Sequence, residues 1–363
     1  MINQIKKVGV IGAGTMGAGI AGQVANAGID VWLLDLPSEG EDANMLSGKG
    51  LERLKDPDMP GLMSKEAENL INLGNTRDHF HELADCDWIA EAVVERLDIK
   101  QSLYKKLNDS CKKSTIITSN TSTIPIKLLT EGMPIEFCER FAITHFFNPV
   151  RFMRLLELVR GEFTRDDVIS TLHEFSEIKL GKGVVPCSDT PGFLANRVGV
   201  FAIQCALHNA FELGLSPTEA DAFFGRPLGL PKTGVFGLYD LIGIDLMADV
   251  VKSLVSILPE DDAFHKYSAP IDFMTKMIAN GQTGNKNDKG FYKQDGNETK
   301  VINLSNGDYV SHEKLKTPLL EMAEKNGVSE ILNDSGTYGL FIWRVLSETL
   351  CYAASLVPEV TED

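Results

Sequence analysis

Residues 6–35, KKVGVIGAGTMGAGIAGQVANAGIDVWLLD, constrain the fold more than any other part of the chain. The apolar run Val8–Ile11 is too short for a helix and reads as a buried strand. Gly12, Gly14 and Gly17 follow as G-x-G-x-x-G, residues 16–27 read as a helix closed by Gly28, and DVWLLD forms a second strand ending at Asp35. A strand that feeds a helix and returns to a second strand is a βαβ unit, so the sheet is parallel and the class α/β. Gly12 permits the tight turn, Gly14 puts no side chain between backbone and a pyrophosphate, and Gly17 lets the helix pack closely on the strand. The helix N-terminus offers free N–H groups to the phosphates. Asp35 is placed to accept from the adenosine ribose hydroxyls. Its charge repels a 2′-phosphate, so the expected cofactor is NAD rather than NADP.

The α/β pattern continues. DCDWIAEAVVE reads as a strand with Glu95 at its end, LDIKQSLYKKLNDSC as a helix, and STIITSNTSTIPI as a strand closing in a Ser/Thr/Asn cluster. Ligands of open α/β sheets sit beyond the carboxyl ends of strands, where Glu95, Ser119, Asn120, Thr121 and Ser122 fall. The same cluster also suits an ordinary strand-to-helix cap, and both readings stand. Between these strands, residues 37–74 read as an insertion of two helices broken at DPDMPG. Lys49, Arg53 and Lys55 make a small basic cluster there, either a solvated face or a clamp for a phosphate.

Composition narrows the partners. The 363 residues carry a formal net charge of −16, which repels nucleic acid and anionic membrane, so neither is expected. No apolar run approaches the ~20 residues that span a bilayer. The six cysteines are scattered, without metal-ligand spacing, and read as free thiols; no metal is expected. With no signal peptide evident, the expected location is cytoplasmic.

RFAITHFFNPVRFMRLLELV reads as strand, turn, strand, with the turn at Asn148-Pro149. If the strands pair about Arg151, His145 faces Glu157. A carboxylate across from an imidazole fixes its tautomer and raises its basicity, the arrangement of a general base with its orienter. A structural His–Glu pair, or a different register with no pair, fits the same pattern.

GAGTMGAGIA, EAVVE, SNTS, HFFNPVRFMRLLE and DTPGFLANR occur in order over about residues 5–295. In this combination the chain resembles the L-3-hydroxyacyl-CoA dehydrogenases. The resemblance implies a Rossmann-type NAD-binding domain followed by an all-helical C-terminal domain, and NAD-dependent oxidation of the 3-hydroxyl of L-3-hydroxyacyl-CoA thioesters to the ketone in fatty-acid β-oxidation. It implies that His145 is the catalytic base and Glu157 its orienting acid. Ser122 then lies near the substrate oxygen, and Asn148 and Asn196 are the active-site asparagines. Gly12, Gly14, Gly17, Asp35, Glu95 and Lys100 match cofactor contacts, with Asn120 beside them. Lys49-Gly50 is kept, but the helix breaks where the family continues it, so no residue is assigned to the CoA phosphates.

The expected organisation is a NAD-binding domain over 1–189, a helical domain over 190–295, a linker over 296–335, and the start of a second helical repeat over 336–363. In the helical domain, His208 reads as a core or interface histidine. FIWRVLSETLCYAASLVPEVTED looks like a degenerate copy of NRVGVFAIQCALHNAFELGLSPTEAD, and a single apolar helix does not bury itself. This leads us to expect a piece of a multifunctional β-oxidation protein with a hydratase domain further on, and either a homodimer or packing against the rest of that repeat. The other reading is that the last helix docks on the first helical domain and the chain is complete. Two other classes are weighed. A dehydrogenase of a small free hydroxy acid more often uses a helical-domain lysine as acid/base. A non-catalytic NAD-binding protein would have no use for the set Ser122, His145, Glu157 and Asn196.

Overall fold

A computed structural model describes residues 5–361. Two compact units divide the chain, one of residues 1–194 with 357–363, the other of residues 195–356.

The first unit runs β1 (Lys7–Ile11), α1 (Thr15–Asn26), β2 (Asp30–Asp35), α2 (Met45–Arg53), α3 (Lys65–Glu68), β3 (Ile71–Asn75), β4 (Trp88–Glu91), α4 (Leu97–Ser110) and β5 (Ile116–Ser119). It continues through α5 (Ile126–Leu129), α6 (Ile135–Cys138), β6 (Phe141–Phe146), β7 (Leu155–Arg160), α7 (Asp166–Glu174) and β8 (Gly183–Ser188) into the first turn of α8 (Phe193–Glu212). The eight strands form one sheet in the order β3-β2-β1-β4-β5-β6-β7-β8. Strands β3 to β6 are parallel; β7 pairs antiparallel with β6, and β8 parallel with β7. Strand residues alternate between two cores. Val8, Val10, Val31 and Leu33 pack with Ala18, Ile20 and Val24 of α1 on one face. Ile11, Leu34, Ile89 and Ile117 pack with Tyr104 and Leu107 of α4 on the other. Burial on both faces explains why these strands read as near-continuous apolar runs. The chain reverses direction across the sheet between β1 and β4, the switch point where such sheets open a crevice for ligands. At the far edge, Ser188 N–H donates to the carbonyl of Val360, so residues past the last helix return to β8.

The second unit takes the rest of α8, then α9 (Pro217–Phe223), α10 (Gly234–Ile242), α11 (Ile244–Ile257), α12 (Asp272–Ala279), β9 (Tyr292–Asp295), β10 (Glu298–Ile302), β11 (Tyr309–Ser311), α13 (Pro318–Asn326), α14 (Ser329–Leu332) and α15 (Thr337–Ser355). It departs from expectation twice. Residues 296–335 are not a linker: β10 pairs with β9 and β11, and two helices follow. Strand alternation there is too short to stand out from loop sequence. Nor is the last helix left unburied, because it docks on the helical domain, the second reading given for it. Phe341, Ile342, Val345 and Tyr352 of α15 are buried, Tyr352 stacks on Phe201 of α8 at 4.3 Å, and Arg344 pairs with Glu212 at 2.8 Å. His208 of α8 lies 5.7 Å from the Tyr267 ring, and burial lowers its pKa, as suits a core histidine.

TGNKNDKGFY folds around a buried acid. A Cβ on Gly290 would sit 2.0 Å from Asp240 Oδ1, and the Asp240 carboxylate accepts from the N–H groups of Phe291 (2.8 Å) and Tyr292 (2.7 Å). Burial outweighs those two bonds and pushes Asp240 up to about 6. The folded chain therefore holds a proton that the unfolded chain has lost above pH ~4. Stability from this group is full below that value and is lost as pH rises through about 6. Asp221, raised for the same reason, acts in the same direction. Asp240→Asn should flatten the fall in urea midpoint across this window. An unchanged slope would show that the group is not its source.

Candidate active site

The glycine loop crosses the carboxyl end of β1. Gly12 has φ +99°, and a Cβ there would lie 2.4 Å from the carbonyl oxygen of Ala92 after β4. A Cβ on Gly17 would come within 1.7 Å of the Gly12 carbonyl oxygen, so the contact that demands glycine is with the loop itself, not with the strand. Above Gly14 a Cβ would meet nothing within 4 Å, and Gly14 caps α1 without a side-chain hydrogen bond. Open space over unsatisfied helix N–H groups is what a pyrophosphate needs. Asp35 ends β2 and accepts from Ala13 N–H at 2.6 Å, which sets its carboxylate beside this loop. The cradle therefore fits NAD. Gly17→Ala must push α1 off the loop and should weaken NAD binding about tenfold or more by calorimetric titration, with the strain of a core clash behind it. Binding of unchanged strength would disconnect the contact from the cofactor.

Beside the loop, β4 ends at Glu91, four residues before the expected Glu95, because pairing with β1 and β5 stops there. Glu91 is fully buried and takes four donors: Lys100 Nζ at 2.7 Å, Tyr104 OH at 2.5 Å, Ser119 Oγ at 2.7 Å and Val93 N–H at 2.8 Å. A buried carboxylate needs such partners, and the acid in the otherwise apolar WIAE was the signal for it. Glu95 lies in the following loop and meets Lys100 at 3.2 Å, Thr123 at 3.1 Å and the Thr121 hydroxyl. Burial would raise its carboxyl, but the Thr121 bond and Lys100 outweigh it and hold the group below its usual range. Thr121 Oγ1 also accepts from Ile124 N–H at 3.0 Å, so part of SNTS does serve as a turn. Asn120 Oδ1 accepts from Phe146 N–H at 2.9 Å and joins the ends of β5 and β6; Ser122 is half-buried just beyond.

Across the β6–β7 hairpin, His145 faces Glu157 in register. His145 Nδ1 lies 2.6 Å from Glu157 Oε2, and Glu157 Oε1 accepts from Leu194 N–H in the first turn of α8 at 2.9 Å. Glu157 is fully buried, and its carboxylate sits at the start of α8. A carboxylate at Nδ1 favours the tautomer that carries its proton on that nitrogen. The ring is held edge-on to Phe147 at 4.5 Å and lies 5.9 Å from the Phe193 ring. Phe193 takes φ +48°, a strained value for an aromatic residue, next to Gly192 at φ +76°.

The first unit thus gathers Gly12, Gly14, Gly17, Asp35, Glu95, Lys100, Asn120, Ser122 and His145 at the carboxyl ends of β1, β2, β4, β5 and β6, with Glu157 opposite on β7. Asn148 is exposed in the turn after β6. Asn196 is half-buried on α8 in the second unit. The basic cluster is largely engaged: Lys55 pairs with Glu68 at 2.7 Å and Glu52 at 3.0 Å, and Arg53 donates to the Ala13 carbonyl at 2.9 Å. No helix among the described residues is long and apolar enough to cross a membrane.

Two families match in tandem: "3-hydroxyacyl-CoA dehydrogenase, NAD binding domain" over residues 7–190, and "3-hydroxyacyl-CoA dehydrogenase, C-terminal domain" over residues 192–294. A putative fatty acid oxidation complex trifunctional enzyme of Rickettsia prowazekii is 39% identical over 100% of this chain and 50% of its own length. A probable 3-hydroxyacyl-CoA dehydrogenase of Deinococcus radiodurans is 41% identical over 80% of this chain and 83% of its own. Among solved structures, (S)-3-hydroxybutyryl-CoA dehydrogenase from Ralstonia eutropha superposes with a TM-score of 0.65 at 30% identity, covering 81% of this chain and 100% of that one. The chain spans about half the length of the curated relatives that match it from end to end. With both domain types present in order, and sequence identity sustained along its whole extent, the chain belongs to the 3-hydroxyacyl-CoA dehydrogenase family.

Proposed function

We infer that this chain oxidises the 3-hydroxyl of an L-3-hydroxyacyl-CoA to the ketone, with NAD as acceptor, as a step of fatty-acid oxidation. The observation that carries the reading is the buried His145–Glu157 pair on the same sheet end as the glycine loop. Bound NAD would accept a hydride from C3 at its nicotinamide ring. His145 Nε2 takes the hydroxyl proton as the carbonyl forms, and Glu157 stabilises the imidazolium through Nδ1. The glycine loop and Asp35 hold the dinucleotide, with Glu95, Lys100 and Asn120 beside it. By the resemblance, Ser122 and Asn196 position the substrate oxygen and Asn148 lines the same site. Reduction of the ketone runs the steps backwards. We place the reaction in the cytoplasm, which suits six cysteines that are all unbridged.

NADH formation from 3-hydroxybutyryl-CoA, a long-chain 3-hydroxyacyl-CoA and free 3-hydroxybutyrate tests the reading. Turnover of the thioesters is expected. Activity confined to the free acid would make the chain a small hydroxy-acid dehydrogenase. No turnover by a folded chain that binds NAD would make it a binding protein.

A further inference from the structure

Between α7 and β8 the first unit buries a cation without an anion. Lys182 is 3% exposed, and its ammonium donates to the carbonyl oxygens of Val150 and, at 2.8 Å, Met153. The Phe146 ring lies 5.9 Å away. Lys182 forms no ion pair among the described residues. Burial alone pushes the ammonium down to about 8. An unpaired buried charge is costly, and an apolar side chain of the same length would fill the space with less penalty. The charge is therefore best understood through what it holds.

It holds the turn between β6 and β7. Pro149 O accepts from the N–H groups of Phe152 (3.0 Å) and Met153 (2.9 Å), so residues 149–153 make one coil. Lys182 closes the open carbonyl end of that coil, as lysines do at helix C-termini. Two further contacts clamp the turn. Val150 fills the notch over Gly19 of α1, where a Cβ would come within 2.8 Å of Val150 Cγ2. Arg151 donates to the carbonyls of Pro60 (2.7 Å) and Leu62 (3.2 Å). The clamped turn carries Phe147, edge-on to the His145 ring at 4.5 Å, and Asn148.

We propose that Lys182 is a positioning residue: its buried ammonium staples the 147–153 turn to the start of β8, and so sets Phe147 against the imidazole and Asn148 toward the substrate. This rests on the dehydrogenase reading for the roles of His145 and Asn148, but the stapling itself does not.

Lys182→Met tests it through two separate readouts. By hydrogen exchange, the amides of 147–153 should open about tenfold faster or more, since a local contact is lost while the rest of the unit keeps its protection. With a 3-hydroxyacyl-CoA, turnover should fall about tenfold to a hundredfold, the scale of a small misplacement at a reacting centre. NAD binding and the melting temperature should stay close to those of the unaltered chain, because the lost bonds and the relieved charge oppose each other. Lys182→Met added to Asn148→Ala should cost no more than about twofold further, since the two act through one turn. Unchanged exchange, near-normal turnover, or losses that multiply in the double variant would each overturn the proposal. If Lys182→Met does not fold, Lys182→Gln is read by the same outcomes. If the unaltered chain turns over no acyl-CoA, the dehydrogenase reading fails and exchange alone decides the staple.

Discussion

His145→Gln should lower turnover of a 3-hydroxyacyl-CoA by about 10²–10⁴-fold, the usual contribution of a positioned general base. NAD affinity should change little. The glutamine amide can still donate toward Glu157, so the buried carboxylate keeps a partner. It has no basic nitrogen to take the hydroxyl proton. The glycine loop and Asp35, which hold the cofactor in our reading, lie on β1 and β2 and do not depend on the imidazole. Steady-state NADH formation together with titration of NAD separates the two effects. Near-normal turnover would remove His145 from the role. Equal loss of turnover and NAD binding would point to a disturbed fold.

Arg197→Met should destabilise the second unit by about 3–5 kcal/mol, the range for removing one partner of a buried ion pair. Arg197 is fully buried, and its guanidinium pairs with Asp262 and donates to Tyr352 OH at 3.2 Å. Tyr352 belongs to α15 and Asp262 precedes a short turn whose Phe264 N–H it caps at 2.8 Å. One side chain thus joins α8, the 262–264 turn and the last helix. Methionine fills much of the volume but leaves the Asp262 charge buried without its partner. Urea unfolding followed by circular dichroism measures the loss. A midpoint close to that of the unaltered chain would rank this pair with exposed ones, which contribute little.

Several features of the first unit are legible in the sequence alone. The strand–glycine–helix–strand run and the acid closing β2 appear where the sequence places them. The insertion read as two helices over 37–74 does carry α2 and α3 on either side of the break at 56–61, but its last residues form β3, whose pairing with β2 the short INLGN run does not reveal. The His145–Glu157 register was legible as one of two possibilities, because a hairpin about Arg151 fixes which positions face each other. Glu91 was missed in favour of Glu95. Both are acids after an apolar run, and only pairing with β1 and β5 shows where the strand stops. The small sheet of β9 to β11 was missed because short hairpins over exposed strands carry little alternation. The burial of α15 was legible only as the second of two readings, because its partners on α8 stand more than a hundred residues away.

Sequence alone determined what depends on near neighbours: the glycines that a tight phosphate turn requires, the apolar strands, and the acid at a strand end. These follow from backbone sterics and periods of a few residues. Only the tertiary structure decided which buried charges meet: Glu91 with Lys100 and Tyr104, Arg197 with Asp262, and Lys182 with the carbonyls of a turn some thirty residues earlier. Burial makes each of those groups require a partner. Which partner it finds depends on how strands and helices far apart in the chain pack, and no local pattern encodes that.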